Sequence, residues 1–344
     1  MAADQETTRS ACVDVIIAVW NNAGTIERAV RSALAAPEVH RVIVVDDRSC
    51  DDTVSVVRAL EGEFGARLLL ERMEQNGGPA AARNRALQLS DAPWIAILDG
   101  DDYFAPGRVR GLLAAAEGAD LVADNLLQIK ETEDPSSGRP LLELDRAVTL
   151  DLAAFVAGNI SRAGRLRKEY GFLKPMMKRR FLDQHGLRYD EGLRLGEDFA
   201  LYARALAAGA VFRVIPSATY VSVVRPGSLS GNHSKQDLER LRDSDESLLS
   251  LPSLSPDAAK LIRRHFESID ERVQWLNVID AVKARDIAAC LAPFFIRWTT
   301  SRLLAGRLLE QAVLRSRKLA TNMLGKWRGG SAEPESDNRR TAPS

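Results

Sequence analysis

The sequence predicts an α/β protein, a sheet flanked by helices, followed by a helical extension. Three observations carry that expectation. From residue 13 onward, short apolar runs alternate with segments of helical period, the pattern of strands joined by crossover helices. Two of the first four apolar runs end in acidic clusters, Asp46-Asp47 and Asp99-Gly100-Asp101-Asp102, at the strand ends where open α/β sheets bind ligands. Residues 236–325 lack strand signals and read as helices.

Each element has its own reason. Residues 1–10 are polar and acidic, a flexible N-terminus with neither signal-peptide nor transit-peptide character. Val13 to Trp20 reads as a buried strand and Asn21 to Gly24 as a turn. Ile26, Val30, Ala33 and Leu34 then set an apolar stripe at helical spacing. Val42 to Val45 is the second strand, and Asp51 and Asp52 are placed to cap a helix from Thr53. Leu68 to Leu70 makes the third strand. The turn Asn76-Gly77-Gly78-Pro79 leads into a helix reaching Leu89, with Pro79 at its first position. Trp94 to Leu98 is the fourth strand. Residues 131–140 form a loop by composition, and the chain is irregular from there to about residue 235. The expected organisation is a main domain over 11–235, a helical region over 236–328 and a disordered tail over 329–344.

Composition bounds the function. The 344 residues are 45% apolar and 27% charged, with 47 basic and 47 acidic side chains; this is globular and excludes a global polyanion-binding role, so no nucleic-acid partner is expected. Cys12, Cys50 and Cys290 are isolated, which excludes a disulfide framework and fits a reducing cytoplasmic setting. No run approaches the roughly 18 apolar residues of a membrane-spanning helix. Residues 294–328 nevertheless hold eight Lys or Arg against Glu310, with Phe294, Phe295, Trp298, Leu303, Leu304, Leu308, Leu309 and Trp327 interspersed. Such a basic amphipathic stretch suits peripheral contact with the inner face of an anionic membrane; a packed helix with a solvated basic face is the plainer reading.

The chemistry concentrates in the acids. Clustered carboxylates after a buried strand repel one another unless a cation or a donor-rich ligand compensates, and hard oxygens suit Mg2+ or Mn2+. Capping of the next turn is the alternative for Asp99 to Asp102. Asp46-Asp47 can accept from an imide N–H or ribose hydroxyls, or can simply form a turn with Arg48. Asn76, Gly77 and the helix N-terminus, with Arg83 a turn inside, suit an anion. Glu197-Asp198 precedes an apolar periodicity of Phe199, Tyr202, Ala203 and Leu206, so the pair either caps a helix or offers Asp198 as a proton acceptor. Arg225 suits a diphosphate clamp. His233 can join as a metal ligand or stand as an ordinary loop histidine.

Taken in order, these motifs resemble family 2 glycosyltransferases of the GT-A fold, over residues 13 to about 235. Val13 to Asn22 is similar to the family's opening nucleotide-binding strand, so Val19 and Asn21 become nucleotide contacts by resemblance. Val45-Asp46-Asp47-Arg48-Ser49 is similar to the uridine-contacting turn, and Asn76 to Asn84 to the nucleotide-proximal loop and helix. Asp99-Gly100-Asp101 is similar to the metal-binding DxD, and Glu197-Asp198 to the acceptor-side acidic pair. Arg48, Cys50 and Asp52 depart from the Gly, Thr and Gly common there, which leaves the base contact open between Asp46 and Asp47. Ala123-Asp124-Asn125, Gly158 to Ser161, Gly171 to Pro175 and Leu193 to Asp198 resemble bacterial succinoglycan glucosyltransferases.

The resemblance implies a mixed, Rossmann-like sheet and a UDP-glucose donor. The implied acceptor is an oligosaccharide on a membrane lipid diphosphate. Asp101 holds the divalent metal, Asp99 contacts ribose or metal, and Asp198 takes the proton of the attacking hydroxyl as the anomeric centre inverts. The processive Gln-x-x-Arg-Trp element is not found, since Gln274-Trp275 lacks it, so a single sugar is added. Two other classes stay open: a non-catalytic nucleotide-sugar-binding scaffold at the membrane, and a phosphatase with an aspartyl nucleophile, which would place its DxD strand first.

Overall fold

The computed structural model of the chain describes residues 13–160, 168–224, 233–252 and 254–296, together with 300–302, 304–306, 308, 309 and 313. Strands β1 (Val13–Val19), β2 (Val39–Asp46), β3 (Leu68–Arg72) and β4 (Trp94–Ile97) pair in parallel in the order β3-β2-β1-β4. Val13, Val15, Ile16 and Ile17 on β1 are fully buried, so a near-continuous apolar run is what this central parallel strand requires. The crossovers are helices α1 (Ile26–Leu34), α2 (Thr53–Phe64) and α3 (Gly78–Leu89). On α1, Ile26, Ala29, Val30, Ala33 and Leu34 are the buried face, as their spacing dictates.

The second half is mixed. It runs through β5 (Tyr103–Phe104), α4 (Arg108–Ala114), β6 (Leu121–Lys130), β7 (Arg139–Pro140), β8 (Val148–Leu150), α5 (Leu152–Gly158), β9 (Met176–Lys178), α6 (Arg179–Gln184), α7 (Glu197–Ala207) and β10 (Phe212–Val224). The sheet continues from β4 through β9, β6 and β10 to β5. β9 is antiparallel to both neighbours, while β6 and β10 pair in parallel. The sheet is therefore mixed and flanked by helices, the class expected.

Two strands are hidden from pattern reading for a physical reason. β6 buries Asp124 and Asn125 in its middle, which breaks the apolar run. Both are satisfied internally: Arg108 donates to Asp124 at 3.0 Å, and Asn125 exchanges two hydrogen bonds with the backbone of Leu142 at 2.7 and 2.9 Å. β10 carries Pro216 within the Ile215 to Tyr220 register shift against β6, a place where a missing ladder donor is tolerated. At α2 the capping differs from expectation. Asp52 makes no side-chain cap, whereas Asp51 accepts from the Thr53 amide at 3.1 Å and, through its other oxygen, from Ala23 at 3.0 Å.

The chain divides into two units, Met1–Asp270 and Glu271–Ser344. In the first, α8 (Lys235–Leu249) opens with a capping box formed by Ser234 and Asp237. Helix α9 (Pro256–Ala284) runs through the division, and α10 (Ile287–Leu291) follows it. Among the described residues, no helix is long and apolar enough to cross a membrane.

Candidate active site

The rim at the C-terminal ends of β1, β2 and β4 is stitched together before any ligand is considered. The Asp47 amide donates to the Val19 carbonyl at 2.8 Å, continuing the β1–β2 ladder past the strand end. Asn21, at a φ of 55°, donates its amide to Ser49 Oγ and accepts the Cys50 amide through Oδ1, both at 2.9 Å. Asn tolerates this left-handed backbone through short local hydrogen bonds. Gly100 is closely packed: a Cβ there would lie 2.7 Å from Val19 Cγ1 and force that side chain to shift. Thr25 Oγ1 donates to the Gly100 carbonyl at 2.9 Å and closes the ring of loops.

The first acid pair is wired to backbone donors. Both oxygens of Asp46, fully buried, face the Ser49 amide at 3.3 and 3.2 Å, with Arg72 Nε at 3.3 Å. Asp47 accepts the Gly77 amide at 2.7 Å and the Gly78 amide at 2.8 Å, one with each oxygen. Asn76 Nδ2 donates to the Asp47 carbonyl at 2.9 Å. Asp47 thus caps α3 from outside the helix, where two free amides and the helix dipole favour an anion. Arg48 adopts a φ of 67°, the backbone that a glycine takes at little cost.

The second acid pair is wired to side-chain cations. Arg83, buried on α3, donates to Asp99 Oδ1 at 2.7 Å, Glu197 Oε1 at 2.9 Å and Asp198 Oδ1 at 3.2 Å. Lys174 Nζ stands 2.8 Å from Asp99 Oδ2 and 2.7 Å from Asp198 Oδ2. Two cations and three carboxylates therefore form one network that unites the DxD aspartate with the acid pair of α7. Burial alone would raise the Asp99 carboxyl, but Lys174 and then Arg83 hold it well below the usual range. Burial likewise works against the Lys174 ammonium, and Asp198 and Asp99 keep it charged.

Lys174 belongs to no acidic motif; in the sequence it shows only within the Gly171 to Pro175 resemblance and as one of eight basic residues among 161–180, with no sign of its role. Its position is set by Arg108, which donates to the Lys174 carbonyl at 2.6 Å while pairing with Asp124. Tyr220 also comes to the rim, its hydroxyl accepting the Asp99 amide at 3.1 Å.

The remaining acids divide. Asp101 is partly exposed, and its carbonyl accepts Arg28 Nη2 at 2.9 Å. Asp102 is buried; burial first, then the charges of Asp99 and Asp101, push its carboxyl up to about 8, and its Oδ1 accepts the Val223 amide at 2.8 Å. It ties the rim to β10. Hard carboxylate oxygens at Asp101 fit a divalent cation, while both oxygens of Asp99 already accept from a cation, one from Arg83 and one from Lys174. His233 immediately precedes the Ser234 cap of α8, and Arg225 lies outside the described residues. Among the described residues a different triad, Asp14, His40 and Asp91, gathers ligand atoms within 4.8 Å of one another. It lies at the start of β1, the opposite end from Val19, and Arg41 already stands 3.6 Å from Asp14 and 3.3 Å from Asp91.

Comparison with known proteins identifies the family and the fold. Residues 14–170 match the glycosyl transferase family 2 model. The chain is 50% identical over 273 residues to the succinoglycan biosynthesis protein ExoU of Rhizobium meliloti, covering 78% of each. It is 36% identical over 298 residues to ExoO of the same organism, covering 83% of each. Among solved structures, S. aureus TarS in complex with UDP-GlcNAc superposes with a TM-score of 0.60 at 19% identity, over 81% of this chain and 89% of that one. The fold is that of the GT-A transferases, the protein is a glycosyltransferase, and the chain belongs to glycosyl transferase family 2.

Proposed function

We propose that the protein is an inverting, divalent-metal-dependent hexosyltransferase that moves glucose from UDP-glucose onto a lipid-diphosphate-linked oligosaccharide in the assembly of a succinoglycan-like exopolysaccharide. One observation carries the reading: Arg83 and Lys174 each bond both Asp99, on the donor side, and Asp198, on the acceptor side. The likeness to ExoU and ExoO supports the pathway, and the fold shared with a UDP-GlcNAc complex is compatible with the nucleotide.

In this reading Asp198 accepts the proton of the acceptor hydroxyl as its oxygen bonds to the anomeric carbon. The bond from that carbon to the diphosphate breaks on the opposite face, so UDP departs and the new linkage is β. Asp101 would hold Mg2+ or Mn2+, which when bound would neutralise charge developing on the diphosphate. Arg83 and Lys174 hold the Asp198 carboxylate in place by hydrogen bonds, and Glu197 shares Arg83 with it. Asp47 and Asn76 order the turn that meets the nucleotide.

Asp198→Asn tests the reading. Transfer should fall by about 10²–10⁴, the usual worth of a positioned base, while calorimetry with UDP and Mn2+ gives unchanged affinity. A wild type that binds UDP but turns over no sugar nucleotide supports the scaffold instead, and a wild type for which Mn2+ adds nothing to UDP binding overturns the metal dependence.

Membrane contact is part of the proposal. Ile287, Leu291 and Phe295, spaced four apart, are 76%, 52% and 84% exposed, just ahead of the basic stretch. An apolar stripe beside basic residues suits the inner face of an anionic bilayer. Removing residues 291–344 should abolish sedimentation with phosphatidylglycerol vesicles and leave UDP binding intact; undiminished sedimentation refutes it.

A further inference from the structure

A buried arginine outside the acid network is joined to that network by two separate routes. Arg108 opens α4 and is 2% exposed. Its Nε donates to Asp124 Oδ1 at 3.0 Å and its Nη2 to the Lys174 carbonyl at 2.6 Å. The guanidinium carbon stands 4.3 Å from the Phe104 ring centroid and 5.0 Å from that of Tyr220, over the faces to which a cation is attracted. The other oxygen of Asp124 accepts the Thr219 amide at 3.0 Å and the Thr219 hydroxyl at 2.6 Å, which fixes the residue preceding Tyr220. The Tyr220 hydroxyl in turn accepts the Asp99 amide, and Lys174 Nζ meets Asp99 Oδ2. These contacts close a circuit that runs from Arg108 through the Lys174 main chain and ammonium to Asp99, then through Tyr220 back to Arg108.

We propose that Arg108 is a positioning residue for sugar transfer: it sets where the Lys174 ammonium stands relative to Asp99 and, through that ammonium, to Asp198. Its contribution is geometric, because Asp124 neutralises the guanidinium and both are buried. Stability alone does not call for an ion pair here, since apolar side chains of similar volume commonly replace a buried pair without loss. What a guanidinium adds is a planar fork that holds a carboxylate and a carbonyl at once while its face lies on an aromatic ring. The inference rests on the transferase reading, with Asp198 as the acceptor-side base.

The test uses the full-length protein and follows UDP release from UDP-glucose in Mn2+, with water standing in for the acceptor hydroxyl, beside UDP affinity by calorimetry. Arg108→Lys keeps a cation for Asp124 but loses the fork. It should lower kcat by about 10–10²-fold, up to the loss that a displacement of about 1 Å brings, with KM for UDP-glucose and UDP affinity unchanged. Tyr220→Phe keeps a ring against Arg108 and removes the acceptor of the Asp99 amide, so its kcat should fall in the same way. The double variant should lose less than the product of the two single losses, because residues acting through one circuit are not additive. Unchanged kcat in the folded single variants, or losses that simply multiply, overturns the positioning role alone. Should Arg108→Lys fail to fold, Tyr220→Phe decides by itself: lowered kcat at unchanged KM supports the circuit, and wild-type kcat overturns it. A wild type that binds UDP but releases none from any sugar nucleotide brings down the transferase reading and the positioning role with it.

Discussion

The two acid pairs of this site differ in what they hold. Asp46 and Asp47 are bonded mainly to main-chain amides, those of Ser49, Gly77 and Gly78. Such donors belong to the fold and cannot be withdrawn without unfolding a turn. Glu197 and Asp198 are bonded to the ends of two long side chains, Arg83 and Lys174, which can exchange partners by rotation about single bonds. In the proposed function the first pair belongs to the nucleotide end of the site and the second to the end where the acceptor reacts. Acidity by itself marks neither role; the kind of donor separates them.

Removing an exchangeable cation should produce the largest effect. Arg83→Met leaves three carboxylates short of a partner in a buried setting, where breaking an ion pair costs about 3–5 kcal/mol. Urea unfolding should show that loss, together with loss of transfer. A change under 1 kcal/mol would mean that Lys174 and water satisfy the acids unaided. On the other side of the contrast, Asp47→Ala removes the outside cap of α3 and should cost about 1–2 kcal/mol. Its urea midpoint should fall without a change in the slope, and an unchanged midpoint would place Asp47 among the purely ligand-facing acids.

The smallest effect concerns pH. Asp245 on α8, fully buried, bonds His265 Nδ1 at 2.8 Å, and the His265 ring stacks on Phe199 of α7 at 4.4 Å. Burial raises the Asp245 carboxyl, with the His265 bond and charge opposing. A carboxyl raised in the folded state binds more protons there than in the unfolded chain. Its contribution is therefore fully present at acid pH and declines as pH rises above the ordinary aspartate range toward the raised value. Asp245→Asn should flatten that decline in a series of melting temperatures from pH 4 upward. A parallel pH profile for the variant refutes the assignment.

How much of this was legible beforehand follows the same contrast. Asp47, Arg83, Asp99 and Asp198 stand where an apolar run stops or a helix starts, so local pattern exposes them. The mixed sheet came from resemblance, because β6 and β10 conceal themselves behind Asp124, Asn125 and Pro216. Lys174 lay within the Gly171 to Pro175 segment singled out by resemblance, but nothing local gave it a role, since that role is conferred by Asp99 and Asp198, distant in sequence. Arg108 was hidden for the opposite reason. A charged residue that is 2% exposed looks like surface in any periodicity argument, and its burial depends on Asp124 arriving from a neighbouring strand.

Strand β9 is three residues long, and along the sheet it is what joins the β3-β2-β1-β4 block to β6 and β10. Lys174 sits two positions upstream of this seam. Any shear between the β3-β2-β1-β4 block and the remainder must therefore pull on the very segment whose ammonium bridges Asp99 and Asp198, which makes the lysine a gauge of whether the two halves are in alignment.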